Sequence, residues 1–536
     1  MEQLWWKHGI VYQIYPRSFQ DSNGDGIGDL QGVIDRLDYL NDGTERSLGI
    51  DAIWFSPTYP SPMADFGYDV ADYEGVHPDF GNLADMDRLI AEAHNRGIRI
   101  ILDFVPNHTS SEHPWFLASR SSGDSPKRDW YVWRDAKPDG SPPNNWIAAF
   151  GGSAWEWDQK TQQYYLHSFL VEQPDLNWRN PKVVEAMHNV LRFWMRRGVD
   201  GFRIDVMDRI LKDPELADNP PEPNRELAKR YGQSALQRHT QDRDWPDVFE
   251  AVRAIRKVVD EFPERMTVGE VFGPPDNIVR YYGGEKVDGL HLAFNFPLVR
   301  IWNPRWTAAH IRREVDAFEA ALPAGAWPNY VLGNHDVDRF VTRVNADGRG
   351  QERARVAALL LLTLRGTPFV YYGEEIGMEN VDIPPDRMQD PARVYGRGRD
   401  PERTPMQWTR EGGFTTGKPW LPYGDLARNA QDQADDPASL LSLYRRLAWL
   451  RRKSAALSTG DYAPVDGTPE TVFAYVRSAP GERMLTVLNF SNDAIEFDLP
   501  GAPEPIEYVL GTHAPALAGR RIALAGNEGR LLRVGV

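Results

Sequence analysis

The chain contains no cysteine, which excludes disulfides, thiolate metal ligands and thiol nucleophiles. No apolar run approaches the roughly 20 residues a membrane helix needs, so no spanning segment is expected. Positive charge is in deficit: 61 Lys and Arg stand against 77 Asp and Glu, a formal net charge of −16. That balance disfavours nucleic acid and anionic membrane, and neither is expected as a partner. No cluster of Lys or Arg in the sequence marks a site for a sugar phosphate. Residues Met1 to Lys7 lack the basic and apolar regions of a secretory signal, and a cytoplasmic location is the simplest expectation. Internal repeats and low-complexity tracts are absent as well.

What remains is an ordinary globular composition, 41% hydrophobic and 26% charged over 536 residues, long enough for a barrel with smaller domains attached. A small neutral substrate fits this charge balance, and a monomer or weak homo-oligomer is expected. Strand-like runs at Ile10–Tyr15, Ala52–Ser56, Ile98–Asp103, Gly201–Asp205, Thr267–Val271, Leu290–Phe294, Tyr330–Gly333 and Phe369–Tyr372 alternate with amphipathic helical patterns such as Ala84–Arg96 and Val183–Arg197. Eight such units predict an α/β fold, a (β/α)8 TIM barrel. Residues 1–103 and 175–456 would form it. The stretch 104–174, rich in Trp, Pro, Gly and Asn, is too long for a βα loop and reads as a small inserted domain after strand three. Residues 457–536 read as a C-terminal antiparallel β domain.

The chemistry sits at strand ends. In Gly201-Phe202-Arg203-Ile204-Asp205-Val206, alternation puts Arg203 and Asp205 on one face, where the guanidinium would keep the carboxylate ionised and oriented. Glu270 ends Met266–Glu270 and Asp336 ends Val331–Asp336. Three carboxylates, each leaving the C-terminal end of a different short apolar strand, read as glycosidic chemistry.

The chain resembles the α-amylase superfamily, glycoside hydrolase family 13, in its oligo-1,6-glucosidase and α-glucosidase branch. The resemblance runs nearly end to end. It rests on Asp103-Phe104-Val105-Pro106-Asn107-His108, Gly201–Val206, Val268-Gly269-Glu270-Val271, Gly333-Asn334-His335-Asp336, Gln173-Pro174-Asp175-Leu176-Asn177 and Arg403–Trp408. It implies a retaining mechanism with Asp205 as nucleophile, Glu270 as general acid/base and Asp336 as stabiliser of the transition state. His108 and His335 would bind hydroxyls of the glucose, and Tyr68 would stack on it. Asp69 would grip its outer hydroxyls and, with Arg399, close the far end into an exo-acting pocket. Asp103 and Asn107 would support Arg203 and the loop, while Phe169 and Trp178 would be aromatic walls. Val206 goes with α-1,6 preference in this branch.

The segment Asp21–Asp29 offers oxygens at alternate positions with glycines for a tight turn. It lacks the closing glutamate of an EF-hand and resembles the family's calcium loop, which in some members takes magnesium. Asp21, Asn23, Asp25 and Asp29 would ligate by side chain and Ile27 by its carbonyl. No organic cofactor is implied. Two departures from the family pattern stand out: polar residues inserted at Asn41–Ser47, expected as a surface loop, and Val337-Asp338-Arg339-Phe340, which adds a charge near the entrance. The expected activity is release of glucose from the non-reducing end of short α-glucosides, α-1,6-linked ones above all. The rivals are a transglucosidase or sucrose isomerase, an α-1,4-preferring enzyme with the same site and, remotely, a non-catalytic amylase-like subunit.

Overall fold

The computed structural model describes residues 4–391, 398–501, 505–514 and 519–535, without the side chains of 230 and 231. Strands β1 (Val11–Ile14), β2 (Ala52–Phe55) and β3 (Arg99–Phe104) are buried almost throughout, as parallel strands covered on both faces must be. A three-stranded antiparallel sheet follows, made of β4 (Trp133–Arg134), β5 (Trp155–Asp158) and β6 (Gln163–Leu166) around a small core of Trp146, Trp155 and Leu166. The chain then returns to the main sheet with β7 (Gly201–Ile204), β8 (Met266–Gly269), β9 (Leu292–Ala293), β10 (Asn329–Val331) and β11 (Thr367–Tyr371).

These eight strands lie in the order β10-β11-β1-β2-β3-β7-β8-β9, the parallel barrel expected. It is nearly closed. Between β9 and β10 no ladder forms, and the Asn295 amide instead donates to the side chain of Asn329 at 3.0 Å. Inside the barrel Trp54, Ile101, Met266, Val268, Phe294, Val331 and Phe369 pack as one cluster. The outer helices have clear local causes. Leu83–Asn95 starts on a reciprocal Asn82/Asp85 capping box and buries Met86, Leu89, Ile90 and Ala93. Pro181–Arg196 begins with proline behind an Asn180 cap.

Helix Leu440–Lys453 is followed by a five-stranded antiparallel sheet: β12 (Asp461–Pro464), β13 (Val472–Ala479), β14 (Glu482–Asn489), β16 (Ile506–Gly511) and β18 (Gly529–Val534). A two-stranded sheet, β15 (Ile495–Asp498) with β17 (Arg521–Leu524), lies beside it. The inserted polar stretch keeps Asp42–Arg46 exposed while buried Asn41 ties it down through the Ile50 carbonyl. Among the described residues no helix is long and apolar enough to cross a membrane.

Candidate active site

Register builds the site. Asp103 on β3 sits opposite Arg203 on β7, and Arg203 opposite Val268 on β8. The ladder runs one residue past the strands: the Asp205 amide donates to the Phe104 carbonyl and the Glu270 amide to Ile204, both at 2.8 Å. Two carboxylates are thereby fixed side by side at the C-terminal rim. Arg203 lies between them, with Nη1 donating to Asp103 at 2.8 Å and to Asp205 at 2.6 Å, and Nη2 2.7 Å from Glu270. One buried guanidinium thus serves three buried carboxylates.

Three anions against one cation cannot all stay ionised cheaply out of water. Burial pushes Asp205 well up, against the pull of Arg203 and with the help of Glu270 and Asp103. Asp103 rises to about 6, again by burial first. Burial thus opposes the pull of Arg203 at Asp205, and Asp103 and Glu270 share the same cation. Asp336 differs. Against burial, His335, Arg399 and Arg403 hold its carboxyl well below the usual range. Arg399 and Arg403 both contact its Oδ1 at 3.0 Å.

Val206 follows the nucleophile candidate at φ 35, ψ 50, a left-handed conformation that a β-branched residue adopts only under constraint. The constraint is visible: its N–H donates to Glu270 Oε2 at 3.1 Å, and the Met207 N–H donates to the Glu270 carbonyl at 3.0 Å. The strained turn keeps the Val206 side chain on the cavity wall.

The cavity measures about 440 Å³ and is lined by Asp65, Tyr68, His108, Phe150, Phe169, Asp205, Val206, Glu270, Asp336 and Arg399, among others. A second lobe of about 410 Å³ shares Glu270, Phe272, Arg300, Asp336 and Arg399 and includes Asp338. Tyr68 is delivered by a turn with Phe66 at φ 45 and Gly67 at φ 105, where any Cβ on Gly67 would come within 3.1 Å of the Pro57 carbonyl. His108 lines the cavity as a neutral imidazole, lowered to about 4 mainly by burial.

Three expectations need correction. Asp69 does not face the cavity; its carboxylate accepts from Ser61 and from the amides of Ala64 and Asp65, which holds its own loop shut. Asp65 takes its place. It pairs with Arg399 at 2.6 Å and accepts from Gln173 at 3.1 Å, while Asp390 grips Arg399 from behind at 2.9 Å. His335 is fully buried, with its ring nitrogens engaged by Gln13 and the Tyr68 hydroxyl, and it stacks on Tyr68 at 5.4 Å. It supports Tyr68 from beneath. Trp178 is likewise structural, donating to the Pro106 carbonyl, and Phe150 lines the cavity beside Phe169, the two rings meeting edge to face at 6.1 Å. Asp103 and Asn107 behave as supports, Asn107 contacting Asp175 and Lys212.

The 21–29 loop is wound on its own amides. Asp21 accepts from Asn23, Gly24 and Gly26, Asn23 from Asp25, Asp25 from Ile27, and Asp29 from Ser22 and Gly32. The donor chemistry suits a hard cation. Among the described residues no three His, Cys, Asp or Glu side chains converge as ligands, so Asn23 and the Ile27 carbonyl would have to complete such a set.

Residues 13–460 match the α-amylase catalytic domain, and residues 465–528 the C-terminal domain of maltogenic amylase. The chain belongs to the α-amylase family, glycoside hydrolase family 13, and is an enzyme of that family. Among its relatives, a probable α-glucosidase of Rhizobium meliloti (strain 1021) is 44% identical over 522 residues, covering 94% of this chain and 92% of that protein. The oligo-1,6-glucosidase of Parageobacillus thermoglucosidasius is 39% identical, covering 93% of each. The crystal structure of an α-glucosyl transfer enzyme superposes with a TM-score of 0.91 at 40% identity, covering 100% of both chains.

Proposed function

We propose that the protein is a retaining, exo-acting α-glucosidase that releases glucose from the non-reducing end of short α-glucosides, chiefly α-1,6-linked. The observation that carries this reading is the shared guanidinium. Carboxylates bound to neighbouring nitrogens of Arg203 are drawn to the short separation, roughly 5–5.5 Å, that double displacement uses. Asp205 attacks the anomeric carbon as Glu270 protonates the leaving oxygen. Glu270 supplies the acid, and the anion on Asp205 is oriented by Arg203. Asp336, held ionised by its arginines, faces the positive charge that develops. Water then enters, Glu270 takes its proton, and glucose leaves with its anomeric configuration kept.

Exo action follows from the Asp65–Arg399–Asp390 clasp, which walls one end of the cavity. Initial glucose release from isomaltose, maltose and sucrose, with product anomers resolved by NMR, tests the whole reading. Faster isomaltose turnover with α-glucose formed first supports it, and β-glucose formed first overturns retention. Val206 sets the linkage bias. Because a methyl-sized change is worth about 1–3 kcal/mol, Val206→Ala lowers the isomaltose-to-maltose ratio of kcat/KM on the order of 10-fold. An unchanged ratio removes Val206 from specificity.

Transfer to a sugar acceptor is the second reading. It is favoured by Phe272 and Phe296, which stack at 5.0 Å on the wall of the second lobe and give an acceptor an apolar face. New disaccharides in a sucrose digest would mark it. A structural calcium at the 21–29 loop belongs to the proposal on donor chemistry alone, and no catalytic step passes through it. Melting in CaCl2 and in EGTA checks it: a higher midpoint in calcium supports the ion, and superimposable curves overturn it.

A further inference from the structure

Three arginines that the sequence scatters, Arg209, Arg243 and Arg300, line the same cavity as the carboxylates. Arg399 also lines it but is held by Asp65, Asp336 and Asp390. The other three differ. Among the described residues none of them has an ion-pair or hydrogen-bond acceptor for its guanidinium. Arg209 is only 4% exposed, and its head lies over the Phe169 ring at 5.2 Å. Arg300 lies over Phe272 at 5.7 Å. Arg243 is brought beside Arg209 because the Asp244 amide donates to the Asp208 carbonyl at 2.7 Å. Burial and the charge of Arg209 lower it to about 10.

The neighbouring acids do not neutralise this pair by contact. Asp242 is taken by His239 and Asn219, and Asp244 by the Tyr281 hydroxyl. Asp208 is buried without a hydrogen-bond partner and raised to about 6, chiefly by burial. Two guanidiniums that repel one another, one of them nine-tenths buried, are costly to keep unless an acceptor meets them. Their planar forks match a carboxylate or a phosphate. Arg300 lines both this cavity and the lobe that carries Phe272 and Phe296, so the arginines border the side on which a leaving group would extend.

We infer that Arg209 and Arg243, with Arg300, form a binding site for an anionic group, phosphate or carboxylate, carried by the leaving group of the α-glucoside. The inference rests on the hydrolase reading above and narrows its substrate class. It also revises the expectation of a strictly neutral substrate. The overall charge of −16 offers no long-range attraction for such a ligand, so recognition is local and made at contact.

The test uses matched substrates: α-glucosylglycerol, α-glucosylglycerol phosphate and α-glucosylglycerate. Charge-assisted hydrogen bonds of this kind give the native enzyme at least a ~10-fold higher kcat/KM for an anionic member than for the neutral one. The phosphate and glycerate arms tell which anion is preferred. Arg209→Gln and Arg243→Gln each collapse that ratio toward one, and Arg209→Lys restores most of it. A native ratio at or below one overturns the inference, as does a ratio untouched by both glutamine variants. If no α-glucoside is hydrolysed, the hydrolase reading falls by itself. Calorimetric titration of the Asp205→Asn protein then decides the anion site: ~10-fold tighter binding of the phosphate member supports it, and equal binding overturns it.

Discussion

Asp205→Asn loses turnover by at least about 10⁴-fold yet unfolds at the same or a higher temperature than the parent above pH 6. The first half follows from the role proposed for Asp205, since an amide cannot form the glucosyl ester. The second follows from the charge count at Arg203. Asp205 and Asp103 have raised values in the folded chain, Asp103 at about 6. A carboxyl that holds its proton more tightly when folded contributes stability that is full below its unfolded value. That contribution is lost as pH rises through the folded one. The parent therefore loses stability between about pH 4 and the folded values, while asparagine, which does not ionise, escapes its share. The gap in the variant's favour should widen from pH 5 to pH 8 and amount to about 1–3 kcal/mol at the upper end. Calorimetry at the two pH values reads it. A variant that melts lower at pH 8, or retains more than about a hundredth of the activity, counts against the cluster as described.

The barrel was legible because its strands are apolar runs buried on both faces, a pattern that survives without tertiary information. Asp205, Glu270 and Asp336 were legible for the same reason: each stands just past such a run, where barrel chemistry gathers. Loop residues were not. In Asp65-Phe66-Gly67-Tyr68-Asp69 the choice of the inward carboxylate depends on two positive-φ residues, Phe66 and Gly67, which turn Tyr68 into the site and Asp69 back on its own amides. Proximity of Asp65 to Tyr68 was the available signal. His335 sits in the family motif, yet only packing reveals that Tyr68 and Gln13 occupy its ring nitrogens. Asp390 and Phe150 carry no local signature. Arg209, Arg243 and Arg300 lie on three separate loops, so their meeting exists only in the folded chain. Even the balance at Arg203 needed the structure, because sequence alternation shows a cation beside Asp205 but not that Asp103 and Glu270 compete for it.

That competition makes Arg203→Met the most damaging single change expected at neutral pH. The side chains are similar in length, so the cavity left is small, and the effect is electrostatic. Asp103, Asp205 and Glu270 would then face one another in a buried site with no cation, at a cost of about 3–5 kcal/mol. With the guanidinium gone, the Asp103 and Asp205 values rise further, so the folded variant binds more protons than the unfolded chain over a wide range. Stability must then climb as pH falls from 8 to 5, more steeply than in the parent. Urea unfolding at pH 5, 6.5 and 8 measures the slope directly. Activity should not return with stability, because among the described residues the Glu270 carboxyl would keep only the Val206 amide as a partner and protonated Asp205 is no nucleophile. A deficit that is the same at all three pH values would instead assign Arg203 to packing over Trp54 and Tyr68, whose rings lie 5.2 Å and 5.9 Å from its guanidinium. In that case the raised values of Asp103 and Asp205 would need another cause than rivalry for one cation.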